Sequence, residues 1–367
     1  MIDQRRLDDI SHRFGEVVMD PSIWPEIMEG VCKAVGASAA ILLQSDVRTP
    51  DVPHTEAIAE GIRHYFKDNW HLVDPRARGF PKMMSGEVVT DHDIMTVEQI
   101  RSDPMYNEVL FPHGFQWFAG IGFRADSAAW ALTLQRTGRE GSFEARDKPL
   151  LARLAPRLTE AATLATAVGR TAILGITNAL DLIGRPAIAI GQFGQVLGIN
   201  TRAAAYLDRE LLVRKGRLSL IDKTADSELA RLVDGFKAIA GLQAIDTSPI
   251  VMRRQGQRPL VLQPLPVPSA ARNPFFGARA ILVLTDLDGT AEFSPSLLVR
   301  VFNLTPAQAN IAVRIAAGRS LEEIAAELGV TLETARHHLK VVFGKTETHR
   351  QGELVALLNK LERRHLP

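Results

Sequence analysis

A segment near the end of the chain carries apolar residues at steps of three, four and three, the spacing of one stripe along a helix. The stripe consists of Leu332, Ala335, Leu339 and Val342. The opposite face carries Glu333, His337 and Lys340, with Arg336 on its flank. A buried stripe combined with a face of Arg, His and Lys suits insertion into a DNA major groove. The plain alternative is a surface helix whose charges are solvated.

The residues before this helix predict a second helix and a tight turn. Ser320 and Glu323 form a capping box, in which the glutamate reaches back to the amide of the N-cap serine. This helix ends at Gly329, which tolerates positive φ, and Thr331 caps the helix that follows. The order of helix, glycine turn and basic helix is the helix-turn-helix layout. Flanking helices are predicted from Thr305 to Gly318 and from Gly352 to Leu361.

Residues 300–364 resemble the DNA-binding domain of LuxR-type (NarL-type) regulators. The matching segments are Leu304-Thr305-Pro306, Gly318-Arg319-Ser320, Glu323-Ile324-Ala325, Leu328-Gly329-Val330, Thr334-Ala335-Arg336, His338-Leu339-Lys340, Lys345-Thr346 and Arg350-Gln351. The resemblance implies an all-α, tetrahelical helix-turn-helix domain over residues 291–367. The sequence departs from the family pattern at Gln308, Asn310, Ala335 and Glu347, the last standing where glycine is usual.

The same resemblance implies which residues touch DNA. The positions of Arg336, His337 and Lys340 are those that face base edges in the family, while Thr334 and Lys345 lie near phosphates. With the capping residue Thr331, these six form the candidate DNA-binding site. One helix-turn-helix reads too few bases for a selective site, so we expect a homodimer on double-stranded DNA. Two apolar faces are offered for dimer contact, one on the last helix (Leu354, Leu357, Leu358, Leu361) and one on residues 150–180, although both could instead pack within one chain.

Residues 1–165 predict an α+β sensor domain, in which helices flank an antiparallel sheet. Helical spacing appears in residues 7–18, 24–35 and 58–70, and strand patterns in residues 38–43, 115–123 and 130–134. A polar turn, Arg124-Ala125-Asp126-Ser127, joins the last two strands. Asp91-His92-Asp93 has the composition of a metal or acid–base cluster, but a tripeptide of this kind in a loop is more typical of a turn.

This domain is similar to the autoinducer-binding domain that precedes the LuxR-type module, with a GAF-like layout. The similarity lies in Tyr65-Phe66, Trp70, Asp74-Pro75, Ser85-Gly86-Glu87 and Gly114-Phe115. It implies a pocket in which Tyr65 and Asp74 contact an acyl-homoserine lactone, and the candidate ligand-binding residues are Tyr65, Trp70, Asp74, Met84 and Trp117. Gly61 and Met84 replace two tryptophans of the family, so we expect a larger pocket and a bulkier or chemically different effector. The alternative is that the aromatic residues belong to an ordinary core and Asp74 begins a turn before Pro75.

Residues 166–290 predict a second α+β domain. A hairpin over residues 188–200 is followed by a helical turn at Arg202–Leu207, a helix around residues 229–236, and strands at 249–252, 260–262 and 280–284. This order, with Asn200 just before the helical turn, resembles a PAS domain. Residues 264–274 are predicted to form a surface loop, and residues 286–295 a linker. No Cys or His is placed for a flavin adduct or haem ligation, so no cofactor is expected.

Length and composition fit this multidomain organisation. The chain has 367 residues, 46% hydrophobic and 23% charged, and a formal net charge of +1. DNA affinity would therefore depend on local charge placement. A single cysteine, Cys32, excludes an intrachain disulfide or a cysteine-based zinc site. The start of the chain has no apolar signal region, and polar residues within 161–183 disfavour a membrane span, which predicts a cytoplasmic protein without membrane contact.

The leading hypothesis is a DNA-binding transcriptional regulator with sensor modules and no catalytic residues. The sequence carries no nucleophile elbow, phosphate-binding loop or zinc-binding helix motif. His337 and His338 are adjacent and point about 100° apart on a helix, so they cannot chelate one metal together. Two alternatives stay open, an enzyme with a DNA-binding tail and an interaction scaffold whose last domain has lost DNA binding.

Overall fold

The computed structural model describes residues 2–45, 52–126, 128–236, 246–267, 273–288 and 294–362. The chain forms two compact units. The first contains Met1–Asp181, Arg185–Arg254 and Val261–Leu284, and the second contains Leu182–Gly184, Gln255–Leu260 and Thr285–Pro367. The multidomain prediction is confirmed at this level. Residues of the two predicted sensor domains share the first unit, and the boundary between those domains stays a prediction.

An antiparallel sheet of four strands organises the first part of the chain. Its order is β1-β4-β3-β2, with bounds β1 Ala39–Gln44, β2 Val88–Thr90, β3 Trp117–Ala125 and β4 Ala128–Arg136. Strand β4 is central, since Leu132 pairs with Leu42 on one side and with Ile121 on the other. Strand β3 has the predicted length but lies two residues later than predicted, and β4 is longer than predicted, because their ladder continues to Ala125 and Ala128.

Helices cover both faces of this sheet. One face packs against α1 Gln4–His12, α2 Glu16–Met19, α3 Trp24–Val35, α7 Lys148–Ala152 and the start of α8 Leu154–Leu182. The other face packs against α4 Ala59–Lys67, α5 Phe80–Met84, α6 Val97–Ser102 and a π-helical turn at Tyr106–Leu110. Helix α3 follows the predicted amphipathic pattern and ends at Gly36, whose φ of 62° favours a residue without a side chain.

The second sheet has the order β6-β5-β11-β10-β9. Its strands are β5 Ala187–Gly191, β6 Val196–Ile199, β9 Ile250–Arg254, β10 Gln257–Pro266 and β11 Ala278–Asp286. Helices α9 Thr201–Ala204 and α10 Lys223–Gly235 and the hairpin of β7 Leu211–Arg214 with β8 Arg217–Leu220 lie between β6 and β9 in the chain. The predicted loop at 264–274 was wrong at its start, since residues 264–266 continue strand β10. Residues 268–272 of that loop lie outside the described residues.

Asn200 joins three elements of this region. Its side-chain oxygen accepts hydrogen bonds from the backbone N–H groups of Ala187 (3.0 Å) and Ala203 (2.9 Å). Its amide nitrogen donates to the carbonyl oxygens of Thr177 (3.2 Å) and Arg185 (2.7 Å). All four hydrogen-bonding positions of the amide are therefore used at a site that is 3% exposed. Helix α9 ends at Ala204, and turn hydrogen bonds from the backbone N–H groups of Tyr206 and Leu207 to the carbonyl oxygens of Ala203 and Ala204 continue to the end of the predicted helical turn.

The second unit contains five helices within its described residues, one more than predicted. They are α11 Pro295–Phe302, α12 Pro306–Ala316, α13 Leu321–Leu328, α14 Leu332–Thr346 and α15 Gln351–Glu362. The predicted capping box of Ser320 and Glu323 is confirmed, and Gly329 ends α13 with a φ of 65°. Helix α11 occupies the end of the predicted linker. Glu347 ends α14 with a φ of 52°, a left-handed conformation that favours glycine.

Both apolar faces offered for dimer contact pack largely within the chain. On α15, Leu354 and Leu358 are fully buried in the core that contains Ile311, Ile315 and Leu339. On α8, four of the five residues in the predicted stripe, Leu154, Leu158, Ala161 and Ala165, are likewise buried and follow the intrachain alternative. The fifth, Val168, is 41% exposed. Leu164 (49%) and Leu174 (47%) on the same helix are exposed as well. In the described part of the chain, no helix has both the length and the apolar character to cross a bilayer.

The segment before β11 anchors the second sheet to the first within the same unit. The ring of Phe275 packs edge-to-face against Trp130 (5.0 Å between centroids), Trp24 (5.7 Å) and Phe123 (5.8 Å). The side chain of Asn273 donates to the carbonyl oxygen of Ala165 on α8, at 2.6 Å. An aromatic residue from one module thus completes the core of the other.

We expect Phe275→Ala to lower the free energy of unfolding by about 3 kcal/mol, since it leaves a cavity among three aromatic rings. Chemical denaturation of the full chain measures the change. Leu265→Ala is the control, because Leu265 is 47% exposed and its loss should cost below about 0.5 kcal/mol. Equal stability of Phe275→Ala and the wild type would contradict an anchoring role for Phe275.

Candidate ligand cavity and candidate DNA-binding face

A cavity of about 120 Å³ lies between the first sheet and helices α4 and α5. Its walls are mainly apolar and include Ile41, Leu43, Ile58, Ile62, Phe66, Phe80, Met83, Leu110, Phe115 and Phe118. Tyr65 and Asp74, the pair predicted from their nine-residue spacing, both line it. Trp70, Met84 and Trp117, the other candidate ligand residues, are not among its lining residues.

The three excluded candidates have other neighbours. Trp70 begins a short 3-10 turn, Trp70–Leu72, and its ring nitrogen is buried without a hydrogen-bond partner. Met84 lies over Gly122 of β3, where an added Cβ atom would come within 2.5 Å of the methionine methyl group. The ring of Trp117 lies 5.3 Å from that of His92. Sequence spacing could not exclude these residues, because their directions depend on the turns and on the sheet beside them.

Asp74 is held by Tyr65 and Arg76. The Tyr65 hydroxyl donates to one carboxylate oxygen at 2.8 Å, and the Arg76 guanidinium donates to both oxygens at 2.8–3.2 Å. The backbone N–H of Arg76 adds a bond at 2.8 Å, as expected for an aspartate that begins a turn before Pro75. The carboxylate therefore already accepts hydrogen bonds at both oxygens from groups of its own chain.

The charges of this pair determine its protonation. Burial by itself would raise the pKa of Asp74, but the charge and hydrogen bonds of Arg76 hold that pKa below its usual range. The pKa of Tyr65 is raised, first by burial and then by the Asp74 charge. At neutral pH the site thus holds an ionised carboxylate, a guanidinium and a neutral phenol. The acid–base pair is neutral as a whole, which suits an apolar cavity.

Asp91, His92 and Asp93 do not converge on one point. Asp91 is buried and accepts hydrogen bonds from the Tyr106 hydroxyl and from the backbone N–H of Phe118. Burial raises the pKa of Asp91. Asp93 instead pairs with Lys148 at 2.6 Å. The tripeptide is a structural turn, and within the described residues no group of three or more His, Cys, Asp or Glu side chains is arranged to hold a metal ion.

Two cavity residues on β4, Thr133 and Gln135, were not predicted from the sequence. Both line the cavity, both are buried, and neither Thr133 Oγ1 nor Gln135 Oε1 has a hydrogen-bond partner. Alternation along β4 places Ala131, Thr133 and Gln135 on one face of the sheet. Polar residues at every second position of an apolar strand were a signal that the prediction, which ended this strand at residue 134, did not use.

The six candidate DNA-binding residues are all exposed, around or on α14. Arg336, His337 and Lys340 fall within about 100° of the helix circumference, on the side away from the buried Ala335 and Leu339. Thr331 is the N-cap, since its hydroxyl accepts from the backbone N–H of Thr334 at 3.1 Å. The predicted amphipathic pattern of α14 is therefore confirmed.

Lys345 has a structural role that was not predicted. Its ammonium group donates to the carbonyl oxygen of Asn303 (2.7 Å) and to the side-chain oxygen of Gln308 (3.1 Å). These bonds hold the end of α14 against the start of α12. A phosphate contact would have to share this ammonium group with Asn303 and Gln308.

Solved structures similar to this chain include two with low scores. No family model and no curated protein sequence matches the chain. It is similar to a phage VqmA in complex with DPO, at 21% identity over 54% of this chain and 94% of that chain, with a TM-score of 0.19. It is also similar to the E. coli DhaR(N)–DhaL complex, at 14% identity over 77% of this chain and 88% of that chain, with a TM-score of 0.23. Scores this low carry no argument about fold or function.

We expect Asp74→Asn to lower the free energy of unfolding by about 3 kcal/mol at pH 7, because it leaves the buried Arg76 charge without its partner. The folded-state pKa of Asp74 is lowered, so its contribution is present above the unfolded value of about 3.9 and is lost as pH falls through the folded value. Denaturation curves from pH 7 downward should show the difference from wild type shrinking below about pH 4. Asp9→Asn, at an exposed aspartate, is the control. A difference that stays constant with pH would contradict this ion pair.

Proposed function

We propose that the chain is a sequence-specific, DNA-binding transcriptional regulator that responds to a small molecule through its first unit. The observation that carries this proposal is the exposed Arg336, His337 and Lys340 face of α14, which follows α13 through a left-handed glycine turn. A helix placed in this way presents its charged face to a major groove, while its buried stripe holds it to the domain.

Two features support DNA as the partner rather than a protein. Arg336 is 57% exposed, and its nearest acidic neighbour within the chain, Glu333, lies 3.8 Å away and is itself 87% exposed. This contact is weak in solvent, so the guanidinium can exchange it for a base edge or phosphate at little cost. The backbone N–H groups at the Thr331 end of α14 also favour a phosphate.

The middle module completes the proposed architecture. Its five-stranded antiparallel sheet, the intervening short helices and the buried Asn200 are the features that we assign to a PAS-like domain. We propose that this module transmits the state of the first cavity, because Phe275 joins it to the core beside that cavity. We propose a cytoplasmic regulator with no cofactor and no catalytic residues. The DNA selection experiment described next tests this proposal against the enzyme and scaffold alternatives.

We expect Arg336→Ala to relax sequence preference, with a loss of about 1–3 kcal/mol at the base pair that Arg336 reads. Lys345→Ala should instead weaken all sequences alike and lower the thermal midpoint, because its bonds to Asn303 and Gln308 are lost. Selection from a random DNA pool, with salt titration of the selected site, separates the two effects. An unchanged selection profile after removal of both Arg336 and Lys340 would favour the scaffold alternative.

We propose that a second copy of the chain covers the exposed residues Leu164, Val168 and Leu174 of α8, since a selective operator needs two reading helices. Leu164→Glu with Val168→Glu should convert a dimer into a monomer in sedimentation analysis and weaken binding to a two-half-site operator. Val301→Glu, at a residue of α11 with 47% exposure, is the matched control and should leave the dimer intact. A wild-type chain that is monomeric both free and on DNA would rule out the dimer.

A further inference from the structure

Two residues that line the cavity of the first unit each carry a buried side-chain oxygen without a hydrogen-bond partner in the described chain. Thr133 is 6% exposed and Gln135 is 1% exposed, yet Thr133 Oγ1 and Gln135 Oε1 have no hydrogen-bond partner. Buried polar atoms are normally paired, because leaving one unpaired costs free energy. Two such atoms on one face of β4, both lining the same cavity, point to a ligand that supplies the missing hydrogen bonds.

Asp74 is a poor acceptor for that ligand, although the sequence favoured it. Its two oxygens already accept bonds from the Tyr65 hydroxyl, the Arg76 guanidinium and the Arg76 backbone. A ligand donor would have to displace a charge-assisted bond, which is stronger than a neutral one. Gln135 Oε1 is an acceptor with no competing donor, so it is the better position for the ligand's polar hydrogen.

The dimensions of the cavity limit the rest of the ligand. Its volume is about 120 Å³, somewhat smaller than an apolar cavity of about 150 Å³ that holds benzene. The space beside Gly61 does not enlarge it, because a Cβ atom at this position would already meet the ring of His113 at 3.5 Å. The expected bulkier ligand is therefore wrong for this structure. A molecule with a single ring or a comparably compact skeleton fits, and one with a long acyl chain does not.

The electrostatics of the walls favour a neutral ligand. The buried charges of Asp74 and Arg76 compensate each other, and most of the remaining lining is apolar. An ionised ligand would lose its hydration on entering the cavity, and it would find no unpaired opposite charge there to compensate the loss.

We infer that the cavity binds a compact, neutral, ring-sized molecule through one hydroxyl group, which donates to Gln135 Oε1 and accepts from the Thr133 hydroxyl. The inference rests on the proposed sensing role of the first unit and specifies its ligand class. The Asp74–Arg76 pair then acts as a structural support of the wall, and β4 carries the specificity.

Phenol and toluene are the probes, because they have the same number of heavy atoms and differ in the hydroxyl group. Calorimetric titration of each into the full-length chain gives the ratio of the toluene to the phenol dissociation constant. We expect this ratio to fall about five- to tenfold in Gln135→Met, which keeps an unbranched side chain but removes the acceptor, as one neutral hydrogen bond is lost. Thr133→Val, which preserves the shape of the side chain, should also lower this ratio. It replaces Gln135→Met as the test if that variant does not fold.

Gln116→Met is the matched control, since Gln116 does not line the cavity and the ratio should stay at the wild-type value. A ratio that is unchanged in both β4 variants overturns the inference. A ratio that falls in Asp74→Asn and not in the β4 variants also overturns the inference. It would mean that the ligand's polar hydrogen is donated to Asp74 and not to Gln135. Absence of binding by both probes to the wild-type chain removes this ligand class, while the DNA selection experiment with α14 tests the proposed regulator independently.

Discussion

The alternation of side chains along β4 is the constraint on which the first unit depends. Because neighbouring residues of a strand point to opposite faces, Trp130, Leu132 and Leu134 enter the core beneath α3 and α8, while Thr133 and Gln135 face the cavity. A slip of one residue would exchange these two sets and place polar groups in the main core. The pairing of β4 with β3 over its whole length, and with β1 from Trp130 to Gln135, fixes the register against such a slip.

The same strand links the cavity to the rest of the unit. Trp130 contacts Phe275, which belongs to the segment before β11, so a ligand beneath Gln135 and the second sheet lie on opposite faces of one rigid element. Asn200 connects the end of α8 to β5 and α9 in turn. Closely packed interiors transmit small displacements, and this chain of contacts is the route along which we propose that occupancy of the cavity acts on the second sheet.

Two buried polar groups show how environment assigns a role to a residue. Asp74 and Asp91 are both aspartates near the same cavity, but the guanidinium beside Asp74 holds its pKa low, whereas burial raises that of Asp91. Asp74 is thus a fixed charge in an ion pair and Asp91 an acceptor for Tyr106 and Phe118. In the second unit, Lys345 likewise has a structural role: its ammonium group donates hydrogen bonds to oxygen atoms of Asn303 and Gln308 and so links α14 to the start of α12.

The sequence by itself determined what depends on local periodicity and capping. It predicted α13, the Gly329 turn and α14 with its exposed Arg336 and Lys340, because helix caps and a 3.6-residue apolar period depend only on residues that are close together in the sequence. It also brought Tyr65 and Asp74 to one cavity, through the resemblance to a known domain. Only the tertiary structure decided that Thr133 and Gln135 each keep an unpaired side-chain oxygen, and that Leu354 and Leu358 are buried in their own chain. Those outcomes depend on which surfaces meet across the sheet and the helix bundle, and partners distant in the chain leave no mark in local spacing.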